Sequence, residues 1–179
     1  MRILKSLLIG IAAIIVLLLI VALFVKKNYG VVREVVINQP KSVVFDYLKL
    51  LKNQENFSVW ANKDPLMKKE FRGTDGTVGF VSAWESKNKD VGKGEQEITK
   101  VTDGERIDYE LRFIEPFASK SLAYLYIESV SENQTKVKWG FTGKMNYPLN
   151  LFLLTMDMEG MIGKDFQDGL NKLKTILEK

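Results

Sequence analysis

The sequence has no cysteine and no histidine among its 179 residues. These absences exclude disulfide staples, thiolate nucleophiles, Cys/His zinc sites and every catalytic triad built on imidazole. A strong charge of either sign is also missing. The chain carries 26 Lys and Arg against 22 Asp and Glu, a formal net charge of +4. Arg2 and Lys5 fall in the first 25 residues, which hold no acid, so the remainder is close to neutral. That is a poor match to the basic stripe of a nucleic-acid binder, and no nucleic-acid partner is expected. No GxxxxGK[ST] phosphate loop occurs, and Gly92-Lys93-Gly94 is a bare GxG inside a strand-like run. Glu95 and Glu97 share one strand face beside Lys93 and Lys100, which reads as a solvated face and not as an oxygen-only metal site. Neither a metal nor a cofactor is expected.

What is present begins with an apolar run. Leu7 to Val25 comprises nineteen residues without a charged or strongly polar side chain. As a helix it would be roughly 28 Å long, close to the ~30 Å hydrocarbon core of a bilayer. A secretory signal peptide is the competing reading, with Arg2 and Lys5 as its basic region. The apolar stretch of a signal peptide is shorter, however, and ends at a small-x-small cleavage site. Here the run ends in Leu23-Phe24-Val25-Lys26-Lys27. Residues 1–27 are therefore expected to form a single-pass anchor. The positive-inside rule places the soluble domain on the non-cytoplasmic side by a narrow margin, because Lys26 and Lys27 oppose Arg2 and Lys5. Five linker residues, Lys26 to Gly30, reach at most about 17 Å, so the domain is expected to rest on the headgroups.

Residues 28–179 read as one domain of strand, two helices, six strands and a long terminal helix. Val31 to Ile37 is β-branched, Asn38-Gln39-Pro40 stops it, and Ser42 to Leu51 has helical spacing. A short helical turn follows at Gln54 to Trp60. Six period-two runs come next: Leu66–Arg72, Thr77–Glu85, Gly92–Val101, Arg106–Ile114, Ser119–Val130 and Lys136–Met145. Beyond Tyr147-Pro148 the period is helical again, with Asn146 available as a cap. Ile162, Phe166, Gly169/Leu170, Leu173 and Ile176/Leu177 form a stripe suited to facing a sheet. The fold class is α+β, helices on one face of an antiparallel sheet.

Ile37 to Trp60, "INQPKSVVFDYLKLLKNQENFSVW", resembles the opening of START-like, or SRPBCC, domains. "VGKGEQEITKV", "GERIDYELRF", "TKVKWGFTG" and "GKDFQDGLNKLK" resemble later segments of the polyketide cyclase/dehydrase and lipid-transport branch. The resemblance implies a helix-grip fold, in which a seven-stranded sheet wraps the terminal helix and leaves an apolar cavity. It also implies a hydrophobic small molecule or lipid as partner. Two other readings stand beside it: an enzyme of the polyketide cyclase/dehydrase type, and a protein-interaction module tethered to the membrane.

The cavity candidates are Trp60 and the inward-pointing aromatic and polar residues of the strands, Phe80, Trp84, Gln96, Tyr109, Phe113 and Phe141. They are joined by Phe152, Met156 and Met161 from the terminal segment. Methionine and aromatics suit an irregular apolar ligand but fill ordinary cores equally well. Tyr109 is either a core tyrosine or, with a nearby carboxylate as the alternative, the acid–base group of the enzymatic reading. Nothing specifies a reaction, and no catalytic residue is assigned. Leu149 to Met158 is apolar all round, which calls for cover on every side or contact with lipid. It is expected either to be buried by loops or to form an interfacial lid over the cavity. The sequence leaves the oligomeric state open.

Overall fold

The computed structural model describes residues 2–179. Helix α1 (Arg2–Phe24) is the apolar run, and by length and composition it is able to cross a membrane. Strand β1 (Asn28–Ile37) follows, then α2 (Lys41–Lys49), a 3-10 turn (Leu51–Asn53), and the short helices α3 (Gln54–Phe57) and α4 (Val59–Asn62). Six more strands come in sequence: β2 (Lys68–Arg72), β3 (Val81–Glu85), β4 (Lys93–Thr102), β5 (Arg106–Glu115), β6 (Ser119–Ser131) and β7 (Gln134–Lys144). A second 3-10 turn (Leu149–Leu154) leads to α5 (Met158–Leu177).

All seven strands form one antiparallel sheet in the order β1-β7-β6-β5-β4-β3-β2. Consecutive strands pair through hairpins, and only β1 must find its neighbour, β7, from the far end of the domain. The sheet curves around α5, whose buried residues Gly163, Phe166, Gly169, Leu170 and Leu173 follow the helical period. Gly169 lacks a Cβ where the Trp139 ring lies against the helix. Arg33 of β1 donates to Glu159 at 2.9 Å and fixes the first turn of α5 on the strand.

The core fills one end of this wrap. Ile98, Ile107, Leu125, Ile127, Val137, Leu170 and Leu173 are completely buried there, with Val44 and Leu48 of α2 closing the end.

Several boundaries shift from the sequence pattern, β1 beginning at Asn28 and so taking up most of the expected linker, and two of the shifts have a clear local cause. The Thr77–Glu85 run becomes a strand only from Val81, because Gly79 takes a positive φ and Thr77 closes a turn onto the Thr74 carbonyl. The terminal helix starts at Met158, capped by Asp157, whose carboxylate accepts from the Gly160 amide at 2.8 Å. Asn146 makes no such side-chain cap, and the apolar segment before Asp157 is a separate 3-10 turn.

On the outer face, Arg112 pairs with Glu95, Glu97 and Glu110 at 2.7 Å each. Glu95 and Glu97 thus lie on the solvated face, with Arg112 as their shared cation and Arg72 as a second partner of Glu95. Hydrogen bonds from Arg112 hold the carboxyls of Glu95 and Glu110 below the usual carboxylate range. At the opposite end the Asn38 amide does the same for Glu178. A carboxyl whose pKa is lower in the folded chain stabilises above its unfolded value and loses that contribution as pH falls. The melting temperature is therefore expected to be flat near neutrality and to drop between about pH 5 and pH 3, with a shallower drop in Arg112→Met. Scanning calorimetry across that window checks it; an acid slope unchanged by Arg112→Met would show that the cluster contributes nothing.

Candidate functional site

The inward faces of the strands change character from one end of the sheet to the other. On β6 the inward residues run Ser119, Ser121, Ala123, then Leu125 and Ile127. The last two are core; the first three are small and leave a volume unfilled. On β4 the inward residues run from Gly94 and Gln96 to Ile98, whereas β5 keeps large apolar residues throughout, Phe113 and Leu111 at the open end and Tyr109 and Ile107 in the core. The small inward residues of β6 and Gly94 of β4 leave an apolar cavity of about 430 Å³ under the first turns of α5. That is within the range of small-molecule sites, roughly 300–1,000 Å³.

An aromatic cluster forms its wall on the α5 side. Phe166 stacks on Trp139 at 4.4 Å between ring centroids, with Trp60 edge-on at 5.5 Å and Phe141 edge-on at 6.4 Å. Across the cavity Trp84 meets Phe113 at 6.0 Å, and its indole N–H donates to the Val91 carbonyl at 3.3 Å. Polar groups are few. Ser82, Gln96, Ser121 and Gln54 reach the lining, and Gln54 is buried with its side-chain nitrogen unpaired. Exposed Phe117, Asp90, Glu115 and Lys144 stand at the open end.

Trp60, Trp84, Gln96, Phe113 and Phe141 come together on this cavity. Phe80 does not: it is core, stacked on Phe71 at 6.1 Å. Tyr109 also lies beneath the lining, completely buried, its hydroxyl facing the Gln54 amide without closing a hydrogen bond. Burial pushes its phenol pKa far up, since the phenolate would have no solvent. Phe152, Met156 and Met161 are outside the cavity and substantially exposed, so the Leu149–Leu154 turn is not its lid. Alternation along a strand gives the face of a residue but not its depth between core and cavity, which is why Phe80 and Tyr109 separate from their neighbours. Sequence reasoning missed Tyr29, Gln54, Leu111, Ser121, Ala123 and Ile162, all on the lining. The Ser-x-Ser-x-Ala step at Ser119 to Ala123 was the available signal: inward strand positions too small to fill a core.

The model of the family described as polyketide cyclase/dehydrase and lipid transport matches residues 30–178. The chain belongs to this polyketide cyclase/dehydrase and lipid-transport family. Among curated proteins no match is found. Solved structures share the fold at low identity. Major latex-like protein 151 of Panax ginseng has a TM-score of 0.60 at 11% identity, over 86% of this chain and 100% of that one. A Mesorhizobium loti protein has a TM-score of 0.58 at 18% identity, over 83% and 96%. The Aha1 dimer of Colwellia psychrerythraea gives 0.55 at 15%, over 84% and 96%. The Bet v 1-like, helix-grip architecture of the family is thus the architecture of this chain, and α1 precedes the family-matched segment.

Proposed function

We propose that this family member binds a hydrophobic small molecule or lipid in the cavity between sheet and α5, and that α1 anchors it in a membrane with the domain on the non-cytoplasmic side. The observation that carries the reading is the cavity itself: an open apolar volume built by small inward residues, with a handful of polar groups to orient a ligand. The family description, which includes lipid transport, agrees with it. The enzymatic alternative loses Tyr109 as its acid–base group, because that hydroxyl is sealed below the lining, and is left with the carboxylates of Glu55, Asp90 and Glu115 on the lining. Residues 28–179 serve as the binding domain and residues 1–27 as the anchor.

The test is to fill the cavity. Leu111 is half-buried on the lining, and Leu111→Trp puts an indole into the volume a ligand would take. Uptake of a pyrene-labelled fatty acid by the full chain in detergent is expected to weaken at least about tenfold, or roughly 1.4 kcal/mol. The melting temperature should stay within a few degrees of the parent. Undiminished uptake by a folded Leu111→Trp variant would remove the cavity as the binding site.

A further inference from the structure

Asn150 is buried at the end of the anchor helix, not in the domain core. Its side-chain amide donates to the Ala22 carbonyl at 2.7 Å and to the Val25 carbonyl at 3.0 Å. The last carbonyls of a helix have no partner within it, and Asn150 supplies that missing donor at Ala22 while also holding Val25, the residue after the helix. Ala22 is the one buried residue of α1 among those described, and what covers α1 is the Leu149–Leu154 turn. Only Val25, Lys26 and Lys27 separate α1 from β1, and the Met145 amide donates to the Lys27 carbonyl at 2.8 Å, continuing the β1–β7 ladder. The anchor therefore runs into the sheet through a bonded joint, with no free linker.

This joint sits at the cavity end of the sheet. Pairing brings Asn28 opposite Lys144 and Phe113 opposite Ser119, and Lys144, Phe113 and Ser119 all reach the lining. Ile162, in the first turns of α5, lines the same end. Exposed apolar side chains gather here too. Leu149 is 54% exposed, Phe152 52% and Leu154 63%, and at the cavity mouth Phe117 is 77% exposed. In a 3-10 turn, residues three apart eclipse, so Leu149 and Phe152 present one continuous apolar edge. Among the described residues about half of that edge is left uncovered. With α1 as the anchor proposed above, the hydrocarbon boundary falls at Val25–Lys26, next to the Ala22 and Val25 carbonyls that Asn150 holds.

We infer that the joint holds the cavity mouth against the bilayer, with the Leu149–Leu154 turn seated among headgroups and upper acyl chains. The ligand then passes between membrane and cavity without crossing bulk water. The occupant of the apolar edge is lipid, because the edge is fixed by covalent chain and hydrogen bonds to the helix that lipid surrounds. Apolar groups at this depth gain by burial some 5–10 Å into the interface, and Lys26 and Lys27 flank it as partners for lipid phosphates. The route rests on the ligand-binding reading above; the docked geometry has its own readout.

Because the chain has no cysteine, single thiols report position cleanly. Thr155→Cys marks the turn, Ala118→Cys the mouth and Asn133→Cys the far end of the sheet, all exposed positions. The full chain carrying an NBD label at each is placed in phosphatidylcholine/phosphatidylglycerol vesicles containing shallow spin-labelled lipid. Quenching at 155 and 118 is expected to exceed that at 133 by about twofold or more. Adding Asn150→Ala should cut the excess at 118, and adding Phe152→Glu should slow delivery of the pyrene fatty acid from vesicles without changing its uptake in detergent. Equal quenching at 118 and 133, in a chain that still takes up the probe in detergent, overturns the docked geometry and leaves ligand binding standing. Strong quenching at 118 with no uptake in detergent overturns ligand binding and the entry route with it. An edge at 155 shielded from lipid by a second protein would show as quenching absent at 155 and restored on dilution, and would equally defeat the inference.

Discussion

Phe166→Ala is expected to destabilise the domain by about 3–5 kcal/mol, the range for deleting a buried aromatic ring. Phe166 is almost fully buried and is the hub of the aromatic wall, touching Trp139, Trp60 and Phe141. Its removal leaves a hole that merges with the existing cavity, so neighbours on that side have no packed layer to collapse against. Two effects should appear together. Urea denaturation should shift to a much lower midpoint, and the enlarged cavity should accept bulkier probes than the parent if the variant is studied at low temperature. A loss below roughly 1 kcal/mol would mean that the wall is loosely packed and that α5 is held by Leu170 and Leu173 alone.

A comparable loss is expected from Gly92→Val, through backbone and not through a cavity. Gly92 has a φ of +62°, a region costing an ordinary L-residue about 1–2 kcal/mol and a β-branched one more. A Cβ there would also collide with the Glu115 carbonyl oxygen, which is backbone and unable to swing aside. Overpacking of this kind adds about 1–3 kcal/mol. The loop it would displace, Glu115 to Phe117, is one lip of the cavity. Gly92→Val should therefore lower the melting temperature and also alter ligand uptake, whereas a Gly104→Ala control, also at positive φ but with open space around it, should leave uptake unchanged. Equal uptake defects in both variants would separate the lip from binding.

The two substitutions probe features that were unequally legible beforehand. The Phe166 stripe at three- and four-residue spacing gave the face of α5 directly, since a helix of that period must bury it somewhere. The positive φ of Gly92 belongs to a local turn closed by its amide on the Asn88 carbonyl, but the Glu115 carbonyl that leaves no room for a Cβ comes from the β5–β6 loop, which approaches only after the sheet has formed. Likewise Asn146 looked like the cap of the last helix, yet the cap is Asp157 and the amide that matters nearby is Asn150, turned toward α1.

The sequence alone determined the apolar anchor-length helix, the strand count, the antiparallel character of the sheet and the face of α5 that meets it. Each follows from local composition and period: nineteen apolar residues without a charge, alternation by two between turn signals, and one stripe on a terminal helix. It also excluded imidazole and thiolate chemistry, because the atoms are absent. Only the tertiary structure decided which inward residues are core and which line the cavity. Tyr109 and Leu111 sit on one face of one strand, two residues apart, and their separation depends on how far along the sheet α5 and α2 reach. Only the tertiary structure, too, decided that the Leu149–Leu154 turn belongs to the anchor's end and not to the cavity. Its neighbour Ala22 is over a hundred residues away in the chain, and no local pattern encodes a contact made across that distance.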